Sequence, residues 1–288
     1  MNSLSEQPRA GWQGELELQF QAVGARTRLA HQRHFGPLLV QRPFYPESEA
    51  IEAVGFAQPC HVYVIHPPGG VAGGDELRLA VSIEPRAHVL VTTPAAGKFY
   101  RSAGGQVAQL SQRFEVQHGL LEWLPQENIF YPDCAVRLAT RVQLAAAARF
   151  IGWEISCLGL PAQQQSLGNG SVHQSFELWC DEVPVLLERL HLHAPMLEAR
   201  WGLAGLGSLG TWLAYPATSA HLEQARALLE PLNCADMQIA CTLLDGALCC
   251  RAAARRADQL KQIFIQLWCA LRPALLGRAA TAPRIWAT

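Results

Sequence analysis

From residue 15 to residue 192 the hydrophobic pattern of this chain repeats every second residue, and after residue 216 it changes to a helical period of about 3.6. No other feature narrows the possible folds as much. Period two sends alternate side chains to opposite faces of a strand, whereas the longer period gathers them on one stripe of a helix. Leu16, Leu18 and Phe20 alternate with Glu15, Glu17 and Gln19, and Val136, Leu138, Val142 and Leu144 alternate with Arg137, Arg141 and Gln143. Residues 60–65, 77–83, 88–91, 110–116, 134–144, 150–157, 172–180 and 185–193 read as strands. Proline and glycine punctuate them about every ten to fifteen residues, the spacing of an all-β stack or sandwich. There is no strict repeat and no low-complexity segment.

Two helices are predicted in the last third. Thr218 or Ser219 can cap the first, which carries Leu222, Ala225, Leu228 and Leu229 and stops at Pro231. Leu260, Ile263, Phe264, Leu267, Trp268 and Leu271 form the stripe of the second, a core-packing face, with Pro273 expected to end it. Residues 237–244 between them suit a strand. Residues 201–215, rich in Gly, Leu and Trp, read as buried loop and strand. The tail Pro283, Arg284, Ile285, Trp286 should dock on the body. The organisation expected is a disordered tail at 1–10 and a single domain over 11–288, β-rich to 215 and helix-containing from 216.

Half of the 288 residues are hydrophobic and 16% are charged, enough for a large core but lean for a chain soluble alone. A net charge of −1 gives no electrostatic case for nucleic acid or an anionic membrane. The start of the chain is polar and lacks the apolar region of a signal peptide, and no apolar run is long enough to span a bilayer. Nine cysteines, an odd number without a C-x-x-C pair, argue against a secreted disulfide framework. A reduced, cytoplasmic protein is expected.

His66, Pro67, Pro68, Gly69, Gly70, Val71, Ala72, Gly73, Gly74 and Asp75 form a proline- and glycine-rich loop that ends in a carboxylate. It is too costly in folding entropy for a casual linker. It is no phosphate loop either, because Asp75 would repel phosphate and a strand pattern, not a helix, follows. Elsewhere, His191 and His193 lie two apart on a strand and share a face, so they could chelate a borderline metal or simply be half-exposed. His61 and His66 flank a strand and make a weaker pair. The adjacent Cys249 and Cys250 diverge, and Cys157, Cys180 and Cys241 read as packing. Glu122, Glu127 and Asp133 could serve acid–base chemistry, although the spacing equally suits a strand that buries Trp123 and leaves Glu122 exposed. No nucleophile elbow and no H-E-x-x-H is present.

Taken together, several runs resemble the urease accessory protein D family. They are residues 40–47, the 66–75 loop, residues 92–102 with Gly97, Lys98, Phe99, Tyr100, Arg101 and Ser102, and residues 121–127, 188–192, 215–218 and 283–286. The most specific is His-Pro-Pro-Gly-Gly followed by Gly-Gly-Asp and then Lys-Phe-Tyr-Arg-Ser. The resemblance implies a mainly β, β-helix-like stack with two α-helices and no enzymatic activity. It further implies action with accessory proteins F and G on apo-urease, where nickel is inserted, and no tightly bound cofactor beyond transient nickel. A water-filled internal tunnel is the nickel route the family suggests. Carried over, Asp75 lies near it, with His66, His191 and His193 as further transient ligands. Gly69, Gly70, Gly73, Gly74, Gly97, Lys98, Tyr100 and Arg101 would shape its walls.

Two departures stand out: Leu160 replaces the family's Arg, and Gln164 and Gln165 replace a Gly-Glu pair. Nickel transfer wants weak, reversible ligation by oxygen donors and single imidazoles rather than a closed thiolate cage, and the scarcity of strong chelating motifs agrees with that. The rivals are a stand-alone nickel store built on His191, His193 and the cysteines, and a carboxylate-dependent enzyme using Glu122 and Glu127.

Overall fold

A computed structural model describes residues 11–48 and 55–287, so the expected tail at 1–10 lies outside the described residues. The chain winds as a coil whose turns each lay one strand in a first sheet and one in a second. Across the first sheet the order is β14 (Val183–His193), β13 (Ser171–Cys180), β11 (Ala135–Leu144), β8 (Ala108–Val116), β5 (Glu76–Ile83), β1 (Gln13–Val23) and β2 (Arg26–Phe35). The second runs β16 (Met237–Leu244), β17 (Ala247–Ala254), β15 (Ser208–Tyr215), β12 (Arg149–Leu158), β9 (Leu120–Trp123), β6 (His88–Thr92), β4 (Cys60–Ile65) and β3 (Leu39–Val40). Two short strands, β7 (Gly97–Phe99) and β10 (Asn128–Phe130), add a third side.

Successive turns pair in parallel: β1 with β5, β8, β11 and β13 in one sheet, β4 with β6, β9 and β12 in the other. The strand β12 serves two sides at once. Residues 149–152 pair with β9, and residues 156–158 pair with β10. Antiparallel β2 and β14 close the ends of the first sheet, and β15, β17 and β16 extend the second. The expected β-helix-like stack is therefore what forms, with a solenoid as its body.

Two helices, α2 (Ser219–Leu229) and α3 (Ala257–Leu276), pack on the second sheet, and a five-residue α1 (Ala194–Glu198) follows β14. One core fills the coil, with Phe20, Val81, Phe114 and Val142 inside it, and another lies between the second sheet and α3, with Trp153, Trp212, Phe264 and Trp268. The outward face of the first sheet is instead wet. It carries charged cross-strand pairs such as Arg78–Glu15 and Arg33–Glu17, and the period-two pattern is cleanest there. The middle of the second sheet is buried on both faces, and every residue of β6 and β9 is inside.

Three expectations need correction. Pro273 does not end α3: it removes one backbone donor, and the helix runs on to Leu276. Gly277, in the left-handed region at φ 69°, then closes it with its N–H 2.9 Å from the Pro273 carbonyl oxygen. Cys241 does more than pack, since it sits directly opposite Cys250 in the β16–β17 hairpin, the Cα atoms 4.2 Å apart, and the two form a disulfide. Within the Gly-, Leu- and Trp-rich run, β15 is largely buried, but Trp201 is 77% exposed. The tail docks as expected, Trp286 lying against Trp153 and Trp268 with its Nε1 3.0 Å from Thr92 Oγ1.

Candidate functional site

The glycine-rich loop follows β4 and enters the third side of the coil, where Val71 bridges in parallel to Phe99. The Val71 N–H donates to the Lys98 carbonyl at 2.7 Å, and the Tyr100 N–H donates to the Val71 carbonyl at 2.9 Å. The loop and the 92–102 run, far apart in sequence, thus share one wall. Gly70 is required there because a Cβ would stand 2.2 Å from the Tyr100 ring. Gly74 is required for conformation, at φ 90°.

Behind this wall lies a cavity of about 370 Å³ inside the coil. His66, Gly69, Gly70, Gly97 and Lys98 line it, as do Gln112, Gln126, Asn128 and Glu154. Glu154 is the one carboxylate of that lining. It projects inward from β12, where Gln174 Nε2 donates to its Oε2 at 2.7 Å and the Thr140 hydroxyl contacts its Oε1. Thr140 Oγ1 also stands 2.8 Å from Gln112 Oε1. A hydroxyl has one proton to give, so both contacts are satisfied together when Glu154 is protonated and donates to Thr140. Burial without a cationic partner pushes the Glu154 carboxyl up to about 7, which agrees. Ser156 extends this polar row by donating to Gln174 Oε1 at 3.0 Å.

The other expected site residues are placed differently. Asp75 is half-buried at the loop's exit, outside the cavity lining. Its Oδ1 accepts the Trp12 N–H and its Oδ2 the Ala72 N–H, each at 2.8 Å, so it ties the loop to itself and to the start of β1. It also reaches the cavity electrostatically: burial lowers the His66 pKa, and the Asp75 charge opposes that shift. Gly73, Gly74, Tyr100 and Arg101, expected to shape the route, are outside the cavity lining. His191 and His193 lie on the outward face of the first sheet, with His173 stacked on His191 at 4.1 Å between ring centroids. Gln164 and Gln165, the departures from the family pattern, line a separate outer groove of about 830 Å³.

The expectation that Glu122 is exposed is overturned. It points from β9 toward α3, fully buried in a network with Glu47, His61, His88 and Arg272. Arg272 Nε donates to Glu122 Oε2 at 2.9 Å and its Nη2 to Glu47 Oε1 at 2.7 Å, while Trp268 Nε1 donates to Glu122 Oε2 at 2.6 Å. Burial alone would raise the Glu122 pKa, but the Arg272 charge and the bonds from His88 and Arg272 override it and hold the carboxyl well below the usual range. Such a group has no free lone pair for acid–base work. Glu127 faces the outer groove, with its Oε2 buried and unpartnered among the described residues, and Asp133 Oδ1 accepts the Asn169 N–H at 2.9 Å. The three carboxylates that looked like one constellation go to three places.

Sequence reasoning missed Glu154, Glu47, His88 and Arg272. A signal existed for Glu154, since it is the lone charged residue in the otherwise apolar centre of β12, in phase with the inward Phe150. Among the described residues no three His, Cys, Asp or Glu side chains are gathered around a common point, and no helix is long and apolar enough to cross a membrane.

Residues 13–287 match the family model described as UreD urease accessory protein. The chain is 41% identical to the urease accessory protein UreD of Alcanivorax borkumensis over all of its length and 96% of that protein. It is 40% identical to the UreD protein of Klebsiella aerogenes over 97% of this chain and 98% of that one. Against the Pseudomonas putida protein of the same name identity is 43%, over 97% of this chain and 95% of that one.

Proposed function

The chain belongs to the UreD urease accessory protein family, and on that premise we propose that it is a non-catalytic scaffold that acts with accessory proteins F and G on apo-urease and offers nickel an interior route to the metallocentre. The observation that carries this reading is the cavity behind the 66–75 loop, with Glu154 as its carboxylate and amide oxygens and one imidazole around it. Oxygen donors and a single imidazole bind a borderline divalent ion weakly, as transit demands. A carboxyl held near 7 sits at the balance point, because an arriving cation can displace its proton and a departing one returns it. Asp75 is a positioning residue in this scheme, holding the loop that forms the mouth.

A stand-alone nickel store fits less well. Burial pushes the Cys60 and Cys134 thiols up to about 12 and that of Cys249 to about 11, so these sulfurs stay protonated and are poor ligands. The enzyme reading loses Glu122 to its buried ion pairs.

The test is urease activation at limiting nickel, with F, G and apo-urease supplied and Glu154→Gln compared with wild type. Gln keeps the bonds of the protonated carboxyl but cannot take up a charge. Activation should fall severalfold while the complex with F and G still co-purifies. Equal activation by the two proteins would remove the cavity from the mechanism.

A further inference from the structure

His191 and His193, two apart on β14, share the outward face of the first sheet, and in the antiparallel ladder His173 of β13 stands directly opposite His191. His193 is paired in the same way with Ser171. Ring centroids are 4.1 Å apart for His173 and His191 and 4.7 Å apart for His191 and His193. β14 is the edge strand of the sheet. We propose that His173, His191 and His193 form a surface site for one borderline divalent cation such as Ni²⁺ or Zn²⁺.

Two imidazoles at i and i+2 with a third directly across an antiparallel pair give three nitrogen donors on one face, and waters can complete the coordination. The rings now stack rather than converge, but exposed side chains change rotamer on the ps–ns scale, so turning them toward a common ion is a small adjustment. Ser171 Oγ lies 2.9 Å from His191 Nε2 and would orient that ring while leaving Nδ1 for the metal, the usual arrangement of an outer partner. Arg137 is the in-register neighbour of His173 on β11, and its long side chain is exposed.

This site is separate from the cavity, and its test is binding by the isolated full chain, so its failure and that of the urease reading are distinguishable. Equilibrium dialysis with Ni²⁺ alone would compare a parent chain, His173→Gln, His191→Gln and, as a control, His118→Gln in an exposed turn. Loss of an outer partner already weakens metal sites about 10–100-fold, so loss of a direct ligand should weaken this one at least tenfold. With every protein carrying Glu154→Gln to silence the cavity, the result expected is one equivalent bound by the parent and by its His118→Gln form, with both other variants weakened alike. Unchanged binding by His173→Gln, no site in the parent, or equal loss in His118→Gln would overturn the proposal. Circular dichroism checks that each variant is folded.

Discussion

Glu122 and Glu154 belong to the same sheet, yet one is locked and the other is poised. In the ladder between β9 and β12, Glu122 is level with Ile151, whose side chain faces α3, and Glu154 is in phase with Phe150, which faces the inside of the coil. A change of one position in the alternation decides which core each carboxyl enters. On the helix side the Arg272 guanidinium pairs with both Glu47 and Glu122, and the carboxyls are held down. On the cavity side the partners are neutral, and the carboxyl rises to about 7. The difference shows how one fold separates a structural clamp from a carboxyl that holds its proton using the same residue type.

The comparison can be broken most forcefully at Arg272. Replacing it with Met strands two buried carboxylates, and truncating one partner of a buried pair costs about 3–5 kcal/mol. Denaturant unfolding of Arg272→Met should show that loss or no folded protein at all, whereas Glu154→Gln should be at least as stable as wild type at neutral pH. If Arg272→Met is as stable as wild type, the network is not a clamp.

The pH dependence sharpens the contrast more finely. Glu154 has a folded pKa near 7 against an ordinary 4.5, so the folded state keeps a proton that the unfolded chain releases. Stability from this group therefore falls as pH rises from about 4.5 to 7, by up to about 3 kcal/mol. Glu47 and Glu122 are shifted the other way: their contribution is present above about 4.5 and is lost as pH falls below it. Histidines titrate in the same range, so the quantity to measure is the difference between wild type and Glu154→Gln. That difference should be near zero at pH 4.5 and should favour Glu154→Gln increasingly up to pH 7. A flat difference would mean that Glu154 is not buried as a neutral acid.

Much of this architecture was legible in the residues. β4 and β16 fall on the segments that alternation assigned, and the α3 stripe from Leu260 to Leu271 is buried as its spacing requires. The first sheet was easiest to read because one face meets water. β9 was misread because helix and cavity bury it on both sides, which erases the alternation that would have shown Glu122 pointing inward. The clamp was invisible for a different reason: Glu47 and Arg272 are 225 residues apart, and no local pattern links them. Pro273 misled because a proline near a helix end costs one hydrogen bond and does not always stop the chain. For the site, the loop and the 92–102 run lie side by side along the cavity, while the carboxylate in its lining is Glu154 of β12 and Asp75 stands outside it.

The central claim is that the cavity accepts a divalent cation at Glu154. Crystals of the full chain soaked in Co²⁺ or Ni²⁺ above pH 7 and measured at the metal's absorption edge test it directly. An anomalous peak within coordinating distance of the Glu154 carboxylate, absent from Glu154→Gln crystals soaked in the same way, is the result this account predicts. A cavity without metal in wild type, or the same peak in both proteins, would contradict it.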